Sequence, residues 1–288
     1  MLENFIALPS AAHTSIGLLL GLMVGSFLNV VIFRFPKILA FQWTQQSHEW
    51  INKEPYTAQT PPTLSKPASH CGNCKAPIKP WQNIPLLSYL ALRGKCASCK
   101  THISLRYPFV ELLTAVLTAY VVHHFGFTPQ ACFAMVLTWV LITLTFIDFD
   151  HQLLPDDIVL PTMWLGLGLS LWGVYTSPQG SILGAIVGYL CFWLVFHVFR
   201  ILTGKEGMGH GDFKLMALLG AWLGWQYLPQ IVLVSTLLGS VIGIFLMVLR
   251  KAKSDLAIPF GPYIAFAGWV ALIWGEEINR FYLQTSGL

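Results

Sequence analysis

The sequence predicts an all-α polytopic membrane protein of about eight transmembrane helices, with a cytoplasmic zinc-ribbon-like loop inserted after the first helix. Three observations predict it. Of 288 residues, 55% are hydrophobic and only 10% charged, with a mean hydropathy of +0.62, whereas a soluble domain carries roughly 25% charged residues. Apolar runs of bilayer-crossing length recur along the chain. The basic residues cluster in a few segments between those runs, as they do in cytoplasmic loops.

Taken in order, the apolar runs fall near residues 14–33, 107–125, 130–147, 158–175, 181–201, 213–226, 229–249 and 258–275, the sixth being short. The start, Met1 to Ser15, has no basic segment, and no clear small-residue cleavage site follows the first run, so that run is expected to stay as an uncleaved span. Arg34, Lys37, Lys53, Lys66, Lys75, Lys79, Arg93, Lys95, Lys100 and Arg106 flank or occupy the segment after it. That segment is therefore expected on the cytoplasmic side. Alternation puts the loops bordered by Arg200, Lys205 and Lys214 and by Arg250, Lys251 and Lys253 on the same side, which leaves both termini external and only Arg280 off the pattern. Three divisions result: a first helix over 1–34, a cytoplasmic loop over 35–105 and a helical bundle over 106–288.

The net charge of +4 describes this topology, because the basic residues are spread over membrane-flanking loops. No nucleic-acid partner is expected; the expected surroundings are membrane lipid. Oligomeric state is not legible in the sequence.

Within the loop, the stretch with Gln42 to Gln46 and Pro55 to Pro67 shows little periodicity and is expected to wrap the surface or move. The remainder carries Cys71-Gly-Asn-Cys74 and, 21 residues later, Cys96-Ala-Ser-Cys99. Each CxxC turn presents two thiolates to one side, and two turns complete a tetrahedral zinc site. Two disulfides are the competing reading, but a cytoplasmic loop sits in a reducing compartment. Four thiolates leave no open coordination position, so the zinc is expected to be structural. Cys132 and Cys191, inside apolar runs, read as buried packing residues.

Small residues recur at four-residue spacing in Gly17/Gly21/Gly25, Gly180/Gly184/Gly188, Gly220/Gly224 and Gly239/Gly243, a pattern that lets helices approach closely in lipid. Ser26 and Asn29, polar at membrane depth, need interhelical hydrogen bonds.

Acidic residues are costly at that depth, so their placement is informative. Asp148, Asp150, Asp156 and Asp157 lie between the third and fourth runs, and Asp212 ends Gly207-Met208-Gly209-His210-Gly211-Asp212 just before the sixth. All emerge at one face. Two carboxylates converging from separate helices suit aspartic proteolysis, in which one shared proton leaves one member to activate water and the other to polarise the scissile carbonyl. Residue chemistry alone leaves the pair open. Asp156 and Asp157 suit a helix start after Pro155, Asp150 suits a hydrated interface, and Asp212 could cap its helix or pair with Lys214. Gly209 and Gly211 would let a substrate strand approach the backbone.

Asp148 through Asp156 resembles the Asp-x-x-x-x-x-(Leu/Ile)-Pro-Asp signature of the bacterial type IV prepilin peptidases, and Gly209-His210-Gly211-Asp212 resembles their Gly-x-Gly-Asp motif. Gly25-Ser26-Phe27-Leu28-Asn29-Val30-Val31 with Arg34 and Pro36, both CxxC pairs, Arg106-Tyr107-Pro108 with Glu111, and Pro259-Phe260-Gly261-Pro262 are similar to that family too, in order along nearly the whole chain. The resemblance implies Asp148 and Asp212 as the catalytic dyad and Cys71, Cys74, Cys96 and Cys99 as zinc ligands. It implies cleavage, at the cytoplasmic face of a bacterial inner membrane, of short basic leaders from type IV prepilins and type II secretion pseudopilins. It further implies methylation of the new N-terminal amine, usually of Phe, from S-adenosylmethionine. No Gly-rich cofactor fingerprint accompanies that second activity, whose expected place is near the zinc loop and Asn29, with Glu111 a participant. An acidic patch of Asp148, Asp150, Asp156, Asp157 and Glu206 would attract a basic leader.

The rival within proteolysis, a presenilin-type intramembrane protease, would carry Pro-Ala-Leu near its end; this chain does not. A non-enzymatic alternative is a membrane assembly factor that docks through its zinc loop, for which the aspartates would be dispensable.

Overall fold

The computed structural model describes residues 10–54, 56–57, 60–205, 207–250 and 259–286. Pro55, Glu206, Lys251 and Lys253, which entered the readings above, lie outside them. The described residues form nine α-helices with short 3-10 turns and no β-strand beyond two isolated bridges. The chain divides into two compact units, Met1–Trp139 and Val140–Leu288.

The first unit is built on α1 (Ser10–Asn52) and α3 (Arg106–Phe125), with the short α2 (Leu87–Ala91) between them. Gly17, Gly21 and Gly25 are the reason α1 and α3 meet closely: a Cβ on Gly21 would fall 2.6 Å from the Ala115 Cα, and one on Gly25 2.8 Å from that of Glu111. Buried Thr114 and Thr118 return their hydroxyls to carbonyls four residues back, at 2.7 and 2.6 Å, so neither is left unpaired in the apolar interior. Helix α1 does not stop where its apolar run does. It continues to Asn52 through Pro36, with Gln45 donating to Glu49 at 2.9 Å, so the segment expected to be irregular begins as a solvated helical extension. Arg34 and Lys37 interrupt the hydropathy and not the helix.

Helix α4 (Pro129–His151) leads into the second unit, which holds α5 (Asp156–Ser170), α6 (Pro178–Thr203), α7 (His210–Leu223), α8 (Leu228–Arg250) and α9 (Gly261–Ser286). Helix α7 is its centre. Nearly every residue from Asp212 to Leu223 is buried, as expected for a helix apolar on all sides. Gly184 of α6 and Gly220 of α7 face each other so closely that neither could carry a Cβ, and the Ser181 hydroxyl donates to the Ala221 carbonyl at 2.6 Å. On the other side the Trp222 indole donates to the Thr162 carbonyl at 2.8 Å.

Among the described residues five helices, α1, α3, α4, α6 and α8, are long and apolar enough to cross a membrane. The expected count of about eight is not reached by that measure. Helices α5 and α7, with 15 and 14 residues, reach only about 23 and 21 Å at 1.5 Å per residue, against roughly 30 Å of hydrocarbon. Helix α9 breaks at Trp274 before its charged end. Cys132 and Cys191, expected to be buried, are exposed: a place in an apolar run does not say which side of the helix a residue takes. Outward faces such as Leu233, Leu237, Ile244 and Phe245 on α8 are apolar, as lipid contact requires.

Candidate active site and cysteine cluster

Helix α4 ends at His151, and Gln152, with φ +51, turns the chain through Leu153–Leu154–Pro155 into α5. Asp148 sits one turn before that end, only 5% exposed, and its Oδ2 accepts the backbone N–H of Gly261 at 3.0 Å. A Cβ on Gly261 would lie 2.6 Å from the same oxygen, so the first residue of α9 must be glycine for the contact to form. Nothing local in the sequence announced this contact between residues 113 apart. Only the family-like Pro259-Phe260-Gly261-Pro262 run hinted at it.

Asp212 is the third residue of α7, after the N-cap Gly209, and is 6% exposed. Its carboxylate takes a hydrogen bond from the Gly209 backbone, the reach-back half of a capping box. The carboxylate also feels the charge of Asp148. Leu154 links the two neighbourhoods: a Cβ on Gly211 would meet its Cβ at 2.8 Å, and one on Gly261 its Cδ1 at 3.3 Å. Leu154 thus fills the space beside Gly211, while Gly209 stays exposed with no side chain but Asp212 near it.

The other aspartates separate from this pair by burial. Asp150, Asp156 and Asp157 are exposed. Lys214 does not pair with Asp212; its ammonium donates to both carboxylate oxygens of Asp156 at 2.7 Å, joining the first turns of α7 and α5. Of the expected acidic patch, Asp148 is buried and the exposed Asp156 is paired with Lys214, while Asp150 and Asp157 are exposed as well.

In the first unit the two CxxC segments fold alike. Cys71 donates its N–H to Ala76 and Cys96 to Thr101, each at 2.9 Å; Lys75 and Lys100 follow with φ +58 and +60 and donate back to Cys71 and Cys96. The His70–Pro77 and Lys95–His102 bridges close the two turns. The four sulfur atoms lie within 4.8 Å of one another, a grouping that could hold a metal ion, and Cys71 and Cys99 Sγ are 3.8 Å apart. A tetrahedral zinc with bonds of about 2.3 Å would space its sulfurs by about 3.8 Å, whereas a disulfide needs about 2.05 Å. Hydrogen bonds from the Thr101 hydroxyl and backbone hold the Cys99 thiol down, to about 6. The Ala76 backbone bond alone would lower Cys74, but desolvation and the three other thiols push it up to about 11. Thiols this close do not all ionise without a cation.

Ser26, Asn29, Arg34 and Glu111 find partners in the same unit. The Asn29 amide donates to the Tyr107 carbonyl at 3.1 Å, and the Arg34 guanidinium donates to the Thr63 and Pro67 carbonyls at 2.7 and 2.9 Å. Glu111 Oε2 accepts the Leu86 N–H at 2.9 Å, and the Ser26 side chain bonds to the same carboxylate.

Residues 19–125 match the family model described as the bacterial peptidase A24 N-terminal domain, and residues 135–244 match that of the type IV leader peptidase family. The chain belongs to the type IV leader peptidase family. It is 51% identical over 286 residues to the prepilin leader peptidase/N-methyltransferase of Pseudomonas aeruginosa and 50% identical over 285 residues to that of Stutzerimonas stutzeri, covering 99% of each chain in both cases. A protein of the same name from Neisseria gonorrhoeae is 48% identical over 276 residues, 95% of this chain and 93% of its own. No solved structure matched. Leader peptidase membership and the span-length helices make this an inner-membrane protein.

Proposed function

We propose that this protein is a membrane aspartic endopeptidase that removes the leader from type IV prepilins and type II secretion pseudopilins, and then N-methylates the exposed amine. The supporting observation is the pairing of Asp148 and Asp212. Among the described aspartates they are the buried ones, they come from different helices, and they interact electrostatically.

Close carboxylates of like charge share one proton. The ionised member takes a proton from water, which attacks the scissile carbonyl while the protonated member donates a hydrogen bond to the carbonyl oxygen. The pair titrates as a unit. Gly261 steadies Asp148 and the Gly209 backbone steadies Asp212, so both enter the reaction already oriented. The exposed backbone at Gly209 offers a substrate strand an edge, and with Gly211 it makes up the substrate-site backbone in this reading. The site faces the cytoplasm, both termini are periplasmic, and the α1 extension and cysteine loop lie on the cytoplasmic side, because nearly all Lys and Arg flank that side.

Cys71, Cys74, Cys96 and Cys99 would hold zinc as a closed structural site that staples a loop with little core of its own. S-adenosylmethionine would supply the methyl group, carried on a positively charged sulfur, to the freed N-terminal amine. We place that transfer in the first unit, because both aspartates fall in the second. The test is incubation of the full-length protein in vesicles with a prepilin and S-adenosylmethionine. A product beginning at the residue after the leader and heavier by one methyl group supports both activities, and an uncut prepilin contradicts the first.

A further inference from the structure

Leu86 has backbone angles of φ +57 and ψ −48, and the Leu87 N–H donates across it to the Pro85 carbonyl at 2.6 Å. This is a three-residue γ-turn of the strained hand, rare for a residue bearing a Cβ. Such an outlier persists where surrounding structure holds it, and it often marks a working part. Here the hold is Glu111 of α3, whose Oε2 accepts the Leu86 N–H at 2.9 Å. Glu111 is itself fixed, with Gly25 of α1 packed against its Cα and Ser26 bonded to its carboxylate.

The turn opens α2, and α2 reaches the second CxxC segment. Tyr89 donates its hydroxyl to the Ile103 carbonyl at 3.3 Å and lies so close over Gly94 that a Cβ there would meet the hydroxyl oxygen at 2.8 Å. Ile103 in turn donates to the Gly94 carbonyl at 2.8 Å, closing the segment that carries Cys96 and Cys99. A continuous line of contacts therefore runs from a helix of membrane-crossing length, through one strained turn, to half of the metal-binding cluster. The approach to the other half is fixed by Arg34, which grips the Thr63 and Pro67 carbonyls ahead of Cys71.

We infer that Glu111 is a positioning residue for methyl transfer, holding the cysteine loop in place on α1 and α3 through the Leu86 turn and Tyr89. This deepens, and rests on, the reading of the protein as a peptidase that also methylates. Glu111 acts as an acceptor for one N–H. A glutamine can supply that acceptor; an alanine cannot.

The experiment uses the full-length enzyme in phosphatidylethanolamine/phosphatidylglycerol vesicles, with a prepilin and S-adenosylmethionine. Wild type, Glu111→Gln, Glu111→Ala, Leu86→Gly and the Leu86→Gly/Glu111→Ala double variant are compared. Four quantities are read: cleavage rate, methylated fraction of the cleaved product, zinc content, and amide hydrogen exchange over residues 84–92. Glu111→Ala is expected to lower the methylated fraction about tenfold while cleavage stays within about twofold, with zinc retained and exchange over 84–92 faster. Glu111→Gln is expected to stay within about threefold of wild type. Adding Leu86→Gly to Glu111→Ala restores part of the methylation, because glycine adopts positive φ without strain.

Unchanged methylation and exchange in Glu111→Ala would overturn the inference. So would a glutamine variant as impaired as the alanine one, which would assign the role to charge, or equal loss of cleavage and methylation, which would assign Glu111 to the fold at large. If Glu111→Ala does not fold, the glutamine and Leu86→Gly variants decide: both must methylate. A wild type that cleaves but never methylates would fail the underlying reading instead, and is told apart because exchange over 84–92 reports the Glu111 hold without any methyl donor.

Discussion

The backbone N–H of Gly261 donates to Oδ2 of Asp148 at 3.0 Å, tying the start of α9 to the end of α4. The bond fixes one carboxylate oxygen, and in the proposed mechanism the other would face the attacking water. Gly261→Ala would push a methyl group to within 2.6 Å of that oxygen. Displacing a catalytic group by part of an ångström costs up to about a hundredfold in rate. Cleavage by Gly261→Ala is expected to fall by that order in a prepilin processing assay, with the thermal unfolding midpoint little changed.

Lys214 and Asp156 make the second tie, between α7, the helix bearing Asp212, and the first turn of α5, the helix that follows Asp148. The pair is partly exposed, so its removal should change stability by no more than about 1 kcal/mol. Its effect on alignment should be larger. Lys214→Met is expected to slow cleavage about threefold to tenfold, and exchanging the two residues, Lys214→Asp with Asp156→Lys, to recover part of the loss. Steady-state cleavage rates on the three variants check this.

Metal removal should act on the first unit. Chelation, or Cys96→Ser, is expected to free the loop over residues 69–103 to proteolytic nicking and to lower methylation more than cleavage, while about one zinc per chain is found in the intact protein. Metal analysis and limited proteolysis read both.

A substitution in the helix contact separates packing from chemistry. Gly21→Leu would drive a side chain into the backbone of α3, where even a Cβ falls 2.6 Å from Ala115. Overpacking of this kind costs about 1–3 kcal/mol, so a lowered thermal midpoint and poor accumulation in membranes are expected.

Some of this was legible in the sequence for identifiable reasons. Paired CxxC turns are local, so Cys71, Cys74, Cys96 and Cys99 declare their cluster from spacing. The glycine rows on α1 and α6 declare close helix contacts in the same way. Chemistry narrowed the acidic residues to Asp148, Asp150, Asp156, Asp157 and Asp212, but burial separates the first and last from the rest, and burial depends on helix rotation. Three contacts were illegible because they join distant residues through backbone atoms: Gly261 with Asp148, Glu111 with Leu86, and Leu154 with Gly211. The extension of α1 to Asn52 was missed because charge ends a hydropathy run without ending a helix. The short α7 is apolar because it is buried in protein, and apolarity alone does not distinguish that from lipid; α5 buries only one side and turns Trp164 and Leu165 outward.

The most direct measurement is prepilin cleavage by purified wild type, Asp148→Asn and Asp212→Asn across a pH series, with zinc content and folding verified for each. A shared proton predicts a bell-shaped profile for wild type, falling at low pH when both carboxyls are protonated and at high pH when both are ionised. Each asparagine variant is predicted to lose cleavage by about a thousandfold or more at every pH while keeping zinc and fold. Either variant cleaving at close to the wild-type rate would contradict the aspartyl dyad.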